Sequence, residues 1–97
     1  MTKSARDDLY GIGRYIALEL LNPLVADRTV EAIQLSVLGL SDMPYRFPLV
    51  DDERLATMGY RKLPIKNYLA FFTIDEKTSI VNVERILYAR RDWLHML

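Results

Sequence analysis

The sequence predicts an α+β domain in which a helical hairpin packs on a small antiparallel sheet and a short helix closes the chain. Two observations predict this fold: helical spacing of apolar residues over the first 40 residues, and three strand-like runs over residues 60–88. The chain has 97 residues, which is enough for one hydrophobic core but not for two. We therefore expect residues 1–97 to form a single domain.

The first half of the chain carries two helix signals. Apolar residues recur in steps of three and four over residues 4–21, which predicts one helix there. The inward face of this helix comprises Leu9, Ile12, Ile16 and Leu20. Asn22 can cap the next helix and Pro23 is tolerated in its first turn, so a second helix is predicted over residues 23–40. Because the junction is so short, the two helices should form an antiparallel hairpin.

The second half begins with an irregular crossing and continues with strands. Residues 41–60 contain two prolines and predict an extended crossing with one short helical turn near residue 53. The three strand-like runs cover residues 60–65, 67–74 and 79–88. The middle run is almost wholly apolar and aromatic, so we expect it to be the central strand, covered on both faces. Residues 90–97 are predicted to form the short final helix.

The last strand is expected to present one apolar and one polar face. Strict alternation places Val81, Val83 and Leu87 together. The other face would carry Asn82, Glu84 and Tyr88. We expect this polar face to be open to a ligand.

Composition excludes several classes of function. The chain has no cysteine, which excludes disulfides, thiolate catalysis and cysteine-based metal sites. The sequence shows no signal peptide and no apolar run that could cross a bilayer, so we expect a cytoplasmic protein with no membrane partner. The net charge is zero, but residues 1–53 carry five Lys and Arg against nine Asp and Glu, while residues 54–97 carry eight against four. The second half should therefore present a basic surface, although a dedicated RNA-binding protein would usually be basic overall.

Four segments of the chain carry recognisable motifs. They are ARDDLYGIGRYIA at residues 5–17, LSDMPYRFPLV at residues 40–50, the strand pair GYRKL and NYLAFF from residue 59 to residue 72, and VERILYARRDW at residues 83–93. In order and spacing these motifs cover nearly the whole chain and resemble those of the RelE/ParE superfamily of bacterial toxins. Family members open with a β-strand, whereas only Met1, Thr2 and Lys3 precede the first helix here. We therefore expect this first strand to be missing, leaving a sheet edge that is weakly protected or filled by another chain.

The resemblance implies the toxin component of a type II toxin–antitoxin system. A cognate antitoxin would neutralise it in a hetero-oligomer, by laying an amphipathic helix along the helical hairpin or the sheet rim. Members of the superfamily differ in target. RelE-like members cut mRNA in the ribosomal A site, whereas ParE-like members inhibit DNA gyrase without enzymatic activity. We take a ribosome-dependent mRNA interferase as the first hypothesis, with a gyrase inhibitor and a decayed, inactive toxin as the alternatives.

For the interferase hypothesis, the second half supplies a candidate site that needs no metal and no cofactor. RNA cleavage requires proton transfer and positive charge around the transition state, and Arg61 and Arg85 could supply the charge. Tyr88 lies where ribosome-dependent nucleases of the family often carry a catalytic tyrosine, so the resemblance implies a catalytic role for it. Further residues that could bind RNA or a partner are Lys62, Lys66, Arg90 and Arg91.

Each candidate also has a simpler alternative. Arg61 and Lys62 alternate across a strand, so at least one of them could be a solvated side chain, and Arg90 and Arg91 could simply bind the antitoxin. Arg85 could form an ion pair with an acid of the first helix such as Asp8 or Glu19, and Tyr88 could be a packing residue. Trp93 is expected to pack in the core beneath the last helix. The Glu/His pair that some nucleases of the family use has no counterpart on the strands, and the lone His95 is a poor metal ligand because zinc needs several more ligands.

Overall fold

Two packed helices and a three-stranded antiparallel sheet form the domain, which confirms the predicted fold class. The computed structural model describes residues 1–97. The helices are α1 (Lys3–Arg14), α2 (Pro23–Leu38) and the short α3 (Glu53–Thr57), and the strands are β1 (Arg61–Ile65), β2 (Tyr68–Asp75) and β3 (Ile80–Tyr88). The strands lie in the order β1-β2-β3, each antiparallel to its neighbour. None of the helices combines the length and the apolar character needed to span a membrane.

The hairpin of α1 and α2 forms as the sequence predicts, but its connection is unusual. After Arg14 the first helix widens into a π-helical turn, Tyr15–Glu19. Leu21 then adopts a positive φ of 51° and is 82% exposed, a conformation that is uncommon for a residue other than glycine. Asn22 caps α2 as predicted, because its side chain accepts a hydrogen bond of 3.3 Å from the backbone N–H of Val25.

The two helices approach each other closely at Gly13. A Cβ atom at this position would lie 2.9 Å from Cγ2 of Val30 on α2, which is closer than van der Waals contact allows. Valine is stiff because it branches at Cβ, so the clash is not relieved by a simple rotation. At Gly11, also on α1, an added Cβ would meet no atom within 4 Å.

We therefore expect replacement by alanine to have opposite effects on stability at the two glycines. Gly11→Ala should raise the free energy of unfolding by about 0.5–1 kcal/mol, since alanine is the better helix former. Gly13→Ala gains the same propensity but overpacks the helix contact, so we expect it to be about 1 kcal/mol less stable than the wild type. Urea denaturation followed by circular dichroism measures both. Equal stabilisation by the two variants would show that α1 and α2 can separate freely at Gly13.

β2 is buried on both faces and divides two cores. Phe71 and Phe72 are both fully buried, and they point to opposite sides of the sheet. The main core lies between the sheet and the helical hairpin and contains Ala5, Leu9, Ile33, Leu40, Leu63, Ile65, Ala70, Phe72, Val83 and Ile86. The second core lies on the other face and contains Val50, Leu55, Phe71 and Leu87. The predicted central strand with two covered faces is therefore confirmed.

A β-bulge in β3 overturns the predicted faces of that strand. Phe71 pairs with Arg85 while Phe72 pairs with Val83, so Glu84 has no partner in the ladder. The extra residue reverses the alternation beyond it. Val83 therefore belongs to the main core and Leu87 to the second core, whereas strict alternation placed them together. Tyr88 lies on the face of the helical hairpin.

The outer edge of β3 forms more hydrogen bonds than we expected from the sequence. The backbone N–H and the hydroxyl of Thr2 donate hydrogen bonds of 2.9 Å to the carbonyl oxygens of Val83 and Glu84, respectively. The Asp8 carboxylate accepts a hydrogen bond of 3.0 Å from the N–H of Ile86. Thr2 and Asp8, which do not belong to a strand, thus form part of the hydrogen bonding that a neighbouring strand would give to β3.

The predicted C-terminal helix is a single 3-10 turn, Trp93–His95. The N–H of Met96 donates a hydrogen bond of 3.0 Å to the Trp93 carbonyl oxygen, and tertiary contacts also hold this segment. The Trp93 ring lies 5.0 Å from the Phe71 ring, between centroids, and closes the second core as predicted for this residue. Arg85 donates a hydrogen bond of 2.9 Å to the carbonyl oxygen of Met96.

Candidate functional site

Arg61, the first candidate for phosphate binding, anchors the irregular crossing. Its guanidinium group donates a hydrogen bond of 2.6 Å to the carbonyl oxygen of Phe47. The same group lies over the Tyr45 ring, 5.1 Å from its centroid, at a distance typical of a cation–π contact. Both contacts fix residues 44–47 against β1, so the side chain has a structural role.

The guanidinium group of Arg85 makes more hydrogen bonds within the chain than that of Arg61. Its Nε and Nη2 atoms donate hydrogen bonds of 2.7 and 3.0 Å to the two carboxylate oxygens of Asp8. Its Nη1 atom binds Met96, as described above, so all three guanidinium nitrogens have a partner within the chain. The hydrogen bond to Asp8 raises the pKa of Arg85 above its already high ordinary value, against the opposing effect of burial. Of the two acids considered from the sequence, Asp8 is the partner.

The three predicted catalytic residues do not converge. Arg61 lies on the face of β1 that carries Leu63 and Ile65 into the main core, whereas Arg85 pairs with Phe71 on the opposite face. Tyr88 shares the helical-hairpin face with Arg61 but lies at the other end of the sheet, level with Ile65 through Tyr68. Four residues of strand separate these two rows, a distance of roughly 13 Å.

The four basic residues predicted to bind RNA or a partner also lie at different places on the fold. Lys62 lies on the face of the second core, with its Nζ atom 5.7 Å from the centroid of the Trp93 ring. Arg90 is exposed after the end of β3 and lines neither of the two cavities described below. Lys66 and Arg91, in contrast, meet Tyr88 in one cavity between α1 and the end of the sheet.

We call this cavity the tyrosine pocket and define it by Tyr15, Lys66, Tyr68, Tyr88 and Arg91. It has a volume of about 900 Å³. Other lining residues include Ile12, Ile16, Leu20, Val25 and Asn67. Sequence reasoning found three of the five defining residues and missed Tyr15 and Tyr68. Their inclusion depends on strand register and on the packing of α1 against the sheet, which no local pattern reveals.

Local structure explains how the pocket forms. Ile65, Tyr68 and Tyr88 lie side by side across the three strands, and the rings of the two tyrosines meet edge to face at 5.9 Å between centroids. Lys66 projects from the two-residue turn between β1 and β2, where it adopts a positive φ of 54°. After Tyr88 the chain turns back, because the N–H of Arg91 donates a hydrogen bond of 3.0 Å to the Tyr88 carbonyl oxygen.

The free charge of the tyrosine pocket is positive. Of its two acids, Asp8 is neutralised by Arg85 in a largely buried pair, and Asp7 forms an exposed ion pair with Lys3 at 2.8 Å. Lys66 and Arg91 are exposed and belong to no ion pair of the chain.

The hydroxyl groups of the pocket add hydrogen-bond donors to this charge. Burial raises the pKa of Tyr68 above its ordinary value, and the neighbouring Tyr88 and Tyr15 raise it further. The Tyr68 hydroxyl is therefore protonated at neutral pH and can donate a hydrogen bond.

A second cavity, the hairpin groove, runs between α1 and α2. It has a volume of about 980 Å³. Its apolar lining comprises Leu9, Gly13, Ala17, Leu18, Ala26 and Val30, with Tyr10 beside it. The charges along it are mixed, with Arg6 and Arg14 contributed by α1 and Asp27 and Glu31 by α2.

The remaining chemical candidate, His95, lies outside both cavities. Its Nδ1 atom is 2.6 Å from a carboxylate oxygen of Asp92, and both side chains are largely exposed. No group of three or more His, Asp or Glu side chains in the chain is arranged to hold a metal ion.

Comparison with known proteins establishes the family. A family model described as "ParE toxin of type II toxin-antitoxin system, parDE" matches residues 1–93. The chain belongs to the ParE toxin family. It is therefore the toxin component of a type II toxin–antitoxin system, and membership implies a cognate antitoxin as partner. The sequence-based recognition of the RelE/ParE superfamily is confirmed.

A solved structure shares the fold of this ParE-family chain. The structure is described as "Chromosomal ParDE TA system from P. aeruginosa" and matches with a TM-score of 0.72. The match covers 92% of this chain and 91% of the other, at 21% sequence identity. A search of curated proteins finds no match.

Proposed function

We propose that this ParE-family toxin acts by binding DNA gyrase and not by cleaving RNA. The observation that carries the proposal is how the two candidate arginines are held within the chain. All three guanidinium nitrogens of Arg85 have partners, and Arg61 donates a hydrogen bond to the Phe47 carbonyl oxygen and lies over the Tyr45 ring. The proposal replaces our first hypothesis with its alternative. Family membership supports it, since ParE-like toxins are the gyrase-directed branch of the superfamily.

The chemistry of RNA cleavage argues in the same direction. An acid, a base and cationic groups must meet at one phosphate, each within hydrogen-bonding reach of the atom it serves. To reach a phosphate beside Tyr88, Arg85 would have to leave Asp8 and Met96, and Arg61 would have to cross most of the sheet. A toxin that acts by binding has no such requirement. It needs a fixed surface of suitable shape and charge.

The hairpin groove suits the antitoxin. An amphipathic helix could lay its apolar face on Ala17, Leu18 and Val30, while its polar flanks meet charges of both signs. Tyr10, which is 69% exposed, would be covered by such a helix. We propose this groove as the site of neutralisation, which leaves the tyrosine pocket on the opposite side of α1.

Two assays run in parallel test the proposed target. Purified toxin is added to gyrase with relaxed plasmid DNA, and separately to a reconstituted translation reaction whose mRNA 5′ ends are mapped by primer extension. We expect loss of supercoiling in the first assay and intact mRNA in the second. In the gyrase assay, prior addition of the antitoxin should restore supercoiling. New mRNA ends inside A-site codons, together with unchanged supercoiling, would overturn the proposal and restore the interferase hypothesis.

A further inference from the structure

We propose that the tyrosine pocket is the surface with which the toxin contacts its target, and that it receives an acidic segment of that protein carrying an apolar or aromatic anchor. The inference rests on the proposed function, which it deepens by naming the surface and the chemistry of its occupant. Four features of the pocket carry it.

The first feature is shape combined with residue type. Three tyrosines of the pocket come from two different layers of the fold, Tyr15 from the helical layer and Tyr68 and Tyr88 from the sheet. Tyr88 and Tyr15 are 40% and 56% exposed, so both keep surface available for contact. Tyrosine is enriched in the energetically dominant parts of protein interfaces, because a rigid ring with a polar end gives much contact at little entropic cost.

The second feature is charge. Lys66 and Arg91 are the only charged side chains of the pocket without an ion-pair partner in the chain. A segment that brought carboxylates to them would be attracted, and both acids of the pocket already have an ion-pair partner in the chain. An otherwise neutral protein thus presents local positive charge beside its aromatic residues.

The third feature is an apolar rim that is continuous with the pocket. Leu20 and Val25 line it and are 58% and 41% exposed, so both apolar side chains are available for contact. They follow the π-helical turn Tyr15–Glu19, and π-helical turns are frequent at functional sites. This rim offers the contact that an apolar anchor needs.

The fourth feature favours a protein segment over RNA. Bases stack on the open faces of aromatic rings, but Tyr68 and Tyr88 meet at an interplanar angle of 70° and cover part of each other. Two free cations would also neutralise few phosphates, whereas nucleic-acid binding depends on many such contacts. A mixed apolar and cationic cavity fits an acidic peptide better.

A double charge reversal tests the inference. Lys66→Glu/Arg91→Glu changes two exposed side chains at the pocket, whereas Lys77→Glu/Arg28→Glu makes the same change in net charge at two exposed positions that line neither cavity. A third variant, Tyr10→Glu, places a charge in the hairpin groove. Each full-length toxin is titrated into the gyrase supercoiling assay and, separately, into its antitoxin by calorimetry. Circular dichroism checks that every variant is folded.

We expect the pocket variant to need at least about tenfold more toxin for half-maximal gyrase inhibition and to bind the antitoxin with unchanged affinity. The control should match the wild type in both assays, and Tyr10→Glu should lose antitoxin affinity alone. If the pocket variant inhibits gyrase as well as the wild type does, the inference is overturned while the proposed function stands. Loss of antitoxin affinity alone would overturn it in favour of the antitoxin as occupant. If the wild-type toxin leaves gyrase active, the proposed function fails and the inference fails with it.

Discussion

Asp8→Ala is expected to lower the free energy of unfolding by about 3 kcal/mol, because it removes one partner of a largely buried ion pair. The Asp8 and Arg85 side chains are only 15% and 25% exposed, so water cannot fully replace the lost partner. The substitution also leaves the N–H of Ile86 without its acceptor at the edge of β3. For a domain of this size, such a loss should lower Tm by roughly 10–20 °C.

Asp7→Ala is the matched control for this prediction. Asp7 is the next residue of the same helix and forms an ion pair of similar length with Lys3, but these two side chains are 66% and 82% exposed. Exposed pairs contribute little, so we expect a change of less than about 0.5 kcal/mol. Urea denaturation followed by circular dichroism and by the single tryptophan, Trp93, reports both variants. Equal losses of stability in the two variants would mean that the Asp8–Arg85 pair stabilises the fold no more than the exposed Asp7–Lys3 pair does.

Phe72→Ala should be the most damaging single truncation at the sheet, with an expected loss of about 4 kcal/mol. The ring is fully buried in the main core and also meets the Phe47 ring edge to face at 6.2 Å. The helices and the sheet enclose this site from both sides, so the cavity cannot collapse easily. A loss of this size is a large part of the total stability of a small domain.

Phe71→Ala removes a phenyl ring from the other face of the sheet and should lower the free energy of unfolding by less, about 3 kcal/mol. The second core is smaller and is closed by the segment around Trp93, which can move inward when the Phe71 ring is removed. We therefore expect a shifted Trp93 emission spectrum in Phe71→Ala but not in Phe72→Ala. Circular dichroism in urea gives the two losses of stability. A larger loss for Phe71→Ala would show that the second core is the main source of stability.

Most of the architecture was predictable because it follows from local patterns. The spacing of apolar residues in the helices, the Asn22 cap and the apolar run of β2 each depend on residues that are close together in the chain. They can therefore be recognised in a single sequence. The faces of β3 were not predictable. Strict alternation assumes an unbroken ladder, and the unpaired Glu84 is visible only once Phe71 and Phe72 have found their partners.

The candidate site was predictable only in part, for a related reason. Residue type marked Lys66 and Arg91 as candidates, the family resemblance marked Tyr88, and the three do lie together. Residue type also marked Arg61 and Arg85, whose partners lie at least 11 residues away along the chain. Whether an arginine is free to meet a ligand depends on such distant partners, which the sequence could name only as alternatives.

The contacts between α1 and β3 have a consequence for the biosynthesis of the toxin. Thr2 and Asp8 bind strand residues that lie 77 to 82 positions later in the chain. Pairing over such separations is slow, because a long loop must close before any contact forms. The contacts of Thr2 and Asp8 with β3 therefore form only after the last strand has left the ribosome. A newly made chain would be harmless for that interval and open to capture by an antitoxin already present in the cell.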